Sequence, residues 1–229
     1  MKTLLALLFS LLLWTTVRAD DPSPKDYAGP LRPQFHFSPE GGWMNDPNGL
    51  AYFNGEYHFL YQYNPAGWQS GVAYWGHAVS KDLLHWTQLP PALSPDDAGQ
   101  NFSGGAALDK GNTSGFGARD QPPLVCIYTA TKAWDQRIAF TTDGRNFTKF
   151  QDNPVLKMIT DHNRDPNIFW YEPTRTWVMA LYVGIDDTPT GPSPDIEKRT
   201  IQFFNSPENI EFAPKKTHVY TFDMVLISP

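Results

Sequence analysis

Two aspartates stand in nearly the same local setting: Asp46 in N-D-P-N-G (45–49) and Asp165 in R-D-P-N (164–167). Each is followed by Pro and Asn, and each opens an apolar, strand-like run. Matched carboxylates that converge on one pocket are what glycoside chemistry requires. A plainer reading competes with this one. Asp-Pro-Asn-Gly also suits a tight β-turn, because Pro presets φ while Asn and Gly tolerate positive φ. Only context separates the two.

The elements that must position these aspartates read as β-structure almost throughout, with no convincing helix. Short aromatic and β-branched runs alternate with Gly, Pro, Asn and Asp. G-L-A-Y-F and Y-H-F-L-Y-Q-Y are joined by Asn54-Gly55, a strong hairpin signal, and I-F-W-Y and W-V-M-A-L-Y flank E-P-T-R-T. A repeat of roughly sixty residues runs through the chain, a period that suits four-stranded propeller blades. It is clearest in the segments 75–89, 137–150 and 201–214, each an apolar strand, a polar turn, then an aromatic opening a second strand: Trp86, Phe147 and Phe212. The units begin near Asp46, Ser103 and Asp165. The innermost strand of a blade lines the central channel, so Asp46, Phe102-Ser103 and Arg164-Asp165 are expected to share an axial pocket. Turn formers have no reason to recur at one phase of a repeat.

Composition narrows the partners. The chain has 229 residues, 41% of them apolar and 14% aromatic, enough for a packed core. Lys2, the apolar run Leu4–Leu13 and Val17-Arg18-Ala19 read as a secretory signal over 1–19, too short to span a membrane. No other segment approaches transmembrane length, so a soluble, secreted protein is expected. Removing the signal takes away Lys2 and Arg18 and no acidic residue, moving the net charge from −6 to −8. An acidic chain without a basic cluster argues against nucleic acid. Cys126, the single cysteine, reads as a small core residue, and none of the six histidines shows a metal-binding spacing. Glycosylation acceptors stand at Asn101, Asn112 and Asn146. A Pro-rich lead-in occupies 20–33 and a β-rich unit 34–229.

W-M-N-D-P-N-G, Y-Q-Y-N-P (61–65), W-G-H-A, F-S-G (102–104) and R-D-P, in this order and spacing, resemble glycoside hydrolase family 32, the invertases, inulinases and levanases that cut β-fructofuranosides. The resemblance runs from about Gln34 to Asn209 and is specific, because five short motifs agree. It implies an all-β fold, a five-bladed propeller followed by a β-sandwich, with one terminal fructose held in a deep axial pocket. It also implies that Asp46 is the nucleophile of a retaining reaction and Asp165 the transition-state stabiliser. Arg164 would hold Asp165 charged or bind sugar. Asn45, Gln62, Phe102 and Ser103 match fructose contacts. Trp75 is a further substrate contact or blade core, His77 reads as core, and Trp43 stacks on sugar or seals the mouth. No cofactor or metal is implied.

Two departures from the family pattern stand out. A Trp of many members between Y-Q-Y-N-P and W-G-H is Ser70 here, with Trp68 as a nearby substitute. The family's acid/base glutamate, followed by Cys in a Glu-Cys-Pro-type motif, has no match. Glu172, Glu197, Glu208 and Glu211 all follow Asp165 without a following Cys. About three of five blades are expected, without the sandwich, as in the N-terminal portion of a larger enzyme or a shortened gene model. Three functions follow as expectations: a β-fructosidase by descent, a non-catalytic secreted fructan or sucrose binder, or a propeller furanosidase such as an arabinanase. Asn-Asp-Pro-Asn-Gly together with Phe-Ser-Gly argues against the last.

Overall fold

The computed structural model describes residues 31–33, 36–118, 120–160, 163–184, 199–206, 212 and 220–223, with the side chains of 199–200 and 220–223 left undescribed. The expected signal (1–19) and most of the lead-in (20–33) lie outside these residues. Every described element is a strand. The first antiparallel sheet is β1 (Trp43–Phe53), β2 (Glu56–Asn64), β3 (Tyr74–Ser80) and β4 (Trp86–Leu93). The second is β5 (Asn101–Leu108), β6 (Leu124–Ala130), β7 (Asp135–Thr141) and β8 (Thr148–Lys149). The third is β9 (Arg164–Tyr171), β10 (Thr176–Gly184), β11 (Arg199–Ser206) and β12 (Tyr220–Asp223). Each sheet is a simple meander, paired in sequence order, as the sixty-residue repeat requires of a propeller blade. Asn54 and Gly55 both take positive φ, 51° and 81°, and Phe53 pairs directly with Glu56. That is the two-residue hairpin that Asn-Gly favours.

The continuous apolar run of β6 explains how blades stack. All seven residues of Leu124–Ala130 are buried. Val125 and Ile127 enter a core shared with Ile168, Trp177 and Met179 of the third blade. Cys126, Tyr128 and Ala130 point the opposite way, into a core with Leu60, Trp75 and Leu93 of the first. A strand buried on both faces loses polar alternation while keeping its period of two. Phe212 joins the core between the second and third blades, and its N–H donates to Val155 O at 3.1 Å; its flanks lie outside the described residues.

The sequons fare unequally. Asn101 is 1% exposed and its Oδ1 accepts from Lys149 Nζ at 3.0 Å, so the expected acceptor there is corrected to a packed interblade residue. The Asn112 amide closes a loop through Gly117 N and O. Asn146 sits exposed in the β7–β8 turn.

His77 is core, as expected, and has a partner the sequence did not suggest. His58 Nδ1 and His77 Nε2 lie 3.0 Å apart between the first two blades, and His58 Nε2 meets Phe53 O at 3.2 Å. A carbonyl only accepts, so His58 carries its proton on Nε2 and takes one at Nδ1 from His77. Burial pulls the His58 imidazole below its ordinary 6.5. Burial first, then His58 and Arg145, pulls His77 down to about 3. Glu56, paired with Arg145, also faces His58. Both histidines must gain charge on acid unfolding. The His77 contribution is therefore complete above the ordinary 6.5 and is lost as pH falls from there toward about 3, and His58, also held below 6.5, adds a loss of the same sign. The urea midpoint of the chain is expected to drop between pH 7 and pH 4, and less steeply in a His58→Gln/His77→Gln variant. Equal slopes would refute the neutral pair.

Candidate active site

The three inner strands share an irregularity at one phase. In β1, Asn45 and Asp46 stand opposite the single residue Gln62. In β5, Phe102 and Ser103 stand opposite Thr129. In β9, Asp165 and Pro166 stand opposite Leu181. Each is a β-bulge, two residues against one, which bends the strand and re-aims a side chain. The turn reading of N-D-P-N-G is thereby replaced: the motif lies inside β1. Pro47 and Pro166 are tolerated because β1 and β9 are edge strands on the channel side, where a missing N–H costs no ladder bond.

The bulges bring the expected residues together. A cavity of about 390 Å³ is lined by Trp43, Asn45, Asp46, Gln62, Phe102, Ser103, Arg164 and Asp165, with Ser70, Gly71, Ala73 and Gln100 completing its wall. Ser103 Oγ donates to Asp46 Oδ2 at 2.7 Å across the first and second blades. Asn48, 1% exposed, receives Gly104 N at 3.3 Å on its Oδ1 and ties the same two strands. Tight approach explains the F-S-G-G run. A Cβ on Gly104 would stand 1.9 Å from Ile127 O, and one on Gly105 2.2 Å from Asn167 Oδ1.

Asp165 has φ 58°, in the left-handed region that aspartate enters at some cost. Its half-exposed carboxylate lies 3.6 Å from Arg164 Nε, and the guanidinium sits 4.7 Å over the Tyr182 ring. Desolvation raises the Asp165 carboxyl above its ordinary 3.8, Arg164 opposes this, and the charge of Asp46 adds to the rise. The charge of Asp46 thus acts on Asp165, and Arg164 beside it offsets part of the rise.

Trp75 does not line the cavity. It is fully buried, and its indole N–H donates to Phe102 O at 3.0 Å, so it braces the bulge from behind. Gln62 does both jobs, lining the wall while its Nε2 donates to Asn101 O at 2.9 Å. Ser70 stands in the wall where the family pattern has Trp, and Trp68 is 67% exposed outside the lining. Gln100, whose Oε1 accepts from Ala73 N, was missed; its place directly before N-F-S was the available signal. Glu172 lies in the β9–β10 turn and lines a separate hollow with Lys110 and Arg175. Asp46 and Asp165 are the only carboxylates of the site among the described residues. Among those residues no three His, Cys, Asp or Glu side chains are arranged to hold a metal ion, and no helix is long and apolar enough to cross a membrane.

Two carboxylates and a guanidinium in a polar, aromatic-walled hollow suit a ligand rich in hydroxyls and prone to cationic character. The comparisons agree. Residues 36–214 match the glycosyl hydrolases family 32 N-terminal domain. The chain is 50% identical over 182 residues to a levanase of Bacillus subtilis, covering 78% of this chain and 27% of that protein. It is 40% identical over 187 residues to an extracellular exo-inulinase of Aspergillus awamori, covering 69% and 35%. A variant fructofuranosidase of Schwanniomyces occidentalis, solved with fructosylnystose, superposes with a TM-score of 0.67 at 35% identity, over 83% of this chain and 35% of that one. The chain thus spans about a third of the length of these relatives. Its three blades, its paired aspartates and its match over most of its length place the chain in glycosyl hydrolase family 32.

Proposed function

We propose that the cavity is the fructosyl-binding half of a retaining β-fructofuranosidase, taking the terminal β-fructofuranosyl unit of sucrose, inulin or levan. The observation that carries this is the Asp46 carboxylate held at the cavity by Ser103, with Asp165 and Arg164 on the neighbouring wall. Ser103 occupies Oδ2, and Oδ1 has no hydrogen bond among the described residues. Oδ1 attacks the anomeric C2 of the fructosyl unit. The C2–O bond to the leaving group breaks, and the leaving oxygen takes its electron pair and then a proton. Asp165 receives sugar hydroxyls and opposes the positive charge of the oxocarbenium-like transition state.

No third carboxylate lines the cavity among the described residues, so proton delivery is separated from attack in the test. A fructoside with a p-nitrophenolate leaving group needs no proton. With it, the chain is expected to release a stoichiometric burst of p-nitrophenolate and to carry one fructosyl group on Asp46. A chain that binds fructose saturably without that burst would be the non-catalytic binder. One that neither binds fructose nor reacts would overturn the assignment. Export is part of the proposal, supported by the leader-like 1–19 segment and the extracellular exo-inulinase relative.

A further inference from the structure

Both downstream inner strands are approached through a buried asparagine. Asn101 begins β5 and Asn163 immediately precedes β9, at 1% and 0% exposure. Each gives its backbone carbonyl to a buried glutamine amide of the preceding blade. Gln62 Nε2 reaches Asn101 O at 2.9 Å, and Gln136 Nε2 reaches Asn163 O at 3.4 Å. The second clamp is the more elaborate. Thr129, the residue opposite the Phe102-Ser103 bulge, donates from Oγ1 to Gln136 Oε1 at 2.8 Å and so fixes which way the amide faces. The Asn163 side chain is held at both ends: Nδ2 donates to Trp134 O at 2.8 Å, and Oδ1 accepts from Ile159 N and Thr160 N at 2.8 and 3.2 Å.

This network adjoins the strained residue of the site. A left-handed aspartate persists only where the surroundings over-determine it. On its C-terminal side, Asn167 to Tyr171 are fixed by pairing with β10. On its N-terminal side, two residues away, stands Asn163. We infer that Gln136 and Asn163 are positioning residues for Asp165: a buried interblade clamp that sets the approach to β9 and so presents the carboxylate to the cavity. The role rests on the proposed sugar-binding function of Asp165. Neither residue touches the cavity. In the first interface a glutamine also reaches the asparagine carbonyl that leads into a bulge, Gln62 on Asn101 before Ser103, although that glutamine comes from the second strand of its blade and Gln136 from the third.

Gln136→Met keeps the length of the side chain and removes both amide functions. Misplacing Asp165 by about 1 Å is expected to slow p-nitrophenyl fructoside labelling about 100-fold and to weaken fructose binding about tenfold, with the strand signal in circular dichroism retained. In an Asp165→Ala background the same substitution should cost nothing further, which general loosening would not produce. Thr129→Val, which only frees the amide to turn, should give an intermediate loss if Gln136→Met fails to fold. Amide exchange at Arg164, Asp165 and Asn167 should quicken in either variant. Equal losses with and without the Asp165 carboxylate, or unchanged affinity and exchange, would overturn the inference. If the unaltered chain neither labels nor binds fructose, the proposed function falls. The exchange rates then decide the clamp alone, and unchanged rates refute it.

Discussion

Asp46→Asn is expected to abolish fructosyl transfer, by about four orders of magnitude or more, while leaving the chain as stable as before. An amide nitrogen or carbonyl cannot form the ester to C2 that a carboxylate forms, so the covalent route is closed. The rest of the local structure has no reason to move. Asn matches Asp in shape, and its Oδ1 still accepts from Ser103 Oγ, now 2.7 Å from the carboxylate. Asp46 is exposed, and such substitutions usually change stability by less than about 0.5 kcal/mol. One side effect is specific. The Asp46 charge helps raise the Asp165 carboxyl, so in the variant that carboxyl titrates closer to the ordinary aspartate range. Burst kinetics with p-nitrophenyl fructoside, mass measurement of the adduct and thermal melting check these together. A variant that still labels would remove Asp46 from the nucleophile's role.

Much of the architecture was legible because a propeller repeats its local signals. The Asn54-Gly55 hairpin, the apolar run of β6 and the aromatic Trp86 each sit where the pattern put them. The convergence of Asp46, Ser103 and Asp165 followed from repeat phase alone. What was hidden is register. Two residues facing one, at Asn45-Asp46, Phe102-Ser103 and Asp165-Pro166, is a relation between strands, and no single stretch of sequence displays it. For the same reason N-D-P-N-G looked like a turn. Burial between distant strands was equally invisible: Asn101 forms a sequon on paper, yet Lys149 of β8 in the same blade holds its side chain inside and Gln62 of the preceding blade takes its carbonyl. Trp75 was ambiguous because strand alternation gives a face but not the neighbour beyond it. That neighbour is the carbonyl of Phe102.

The bulges also assign a division of labour inside each motif. In N-D-P-N-G, Asp46 faces the cavity, while Asn48 is buried against the next blade. In R-D-P-N, Asp165 faces the cavity, while Asn167 lies against Gly105. Asn48 thus fastens the strand that carries Asp46, whereas the exposed Asn167 only packs close to Gly105. In N-D-P-N-G, a motif read as one functional word is half chemistry and half interblade joint.

Asp165 separates function from stability, and the second large effect follows from that. Asp165→Asn is expected to slow fructosyl transfer by about 100- to 1000-fold, the loss typical of one preorganised electrostatic group. The amide keeps one acceptor for a sugar hydroxyl but carries no charge against the oxocarbenium-like state. Yet the variant should be no less stable at neutral pH. The carboxyl of Asp165 is raised above 3.8, which means that folding disfavours its charged form, so removing the charge relieves a cost. Asn also tolerates the φ of 58°. Asp165→Ala shares the catalytic loss but is less at ease there, and should melt lower than Asp165→Asn. The pH dependence has the matching sign. As pH falls, Asp165 takes up its proton earlier than an ordinary aspartate, so fructose affinity is full above that raised value and declines through it. In Asp165→Asn that decline should vanish, leaving weak, flat binding. A variant that loses stability in proportion to activity, or keeps the acid limb, would show that Asp165 only shapes the wall.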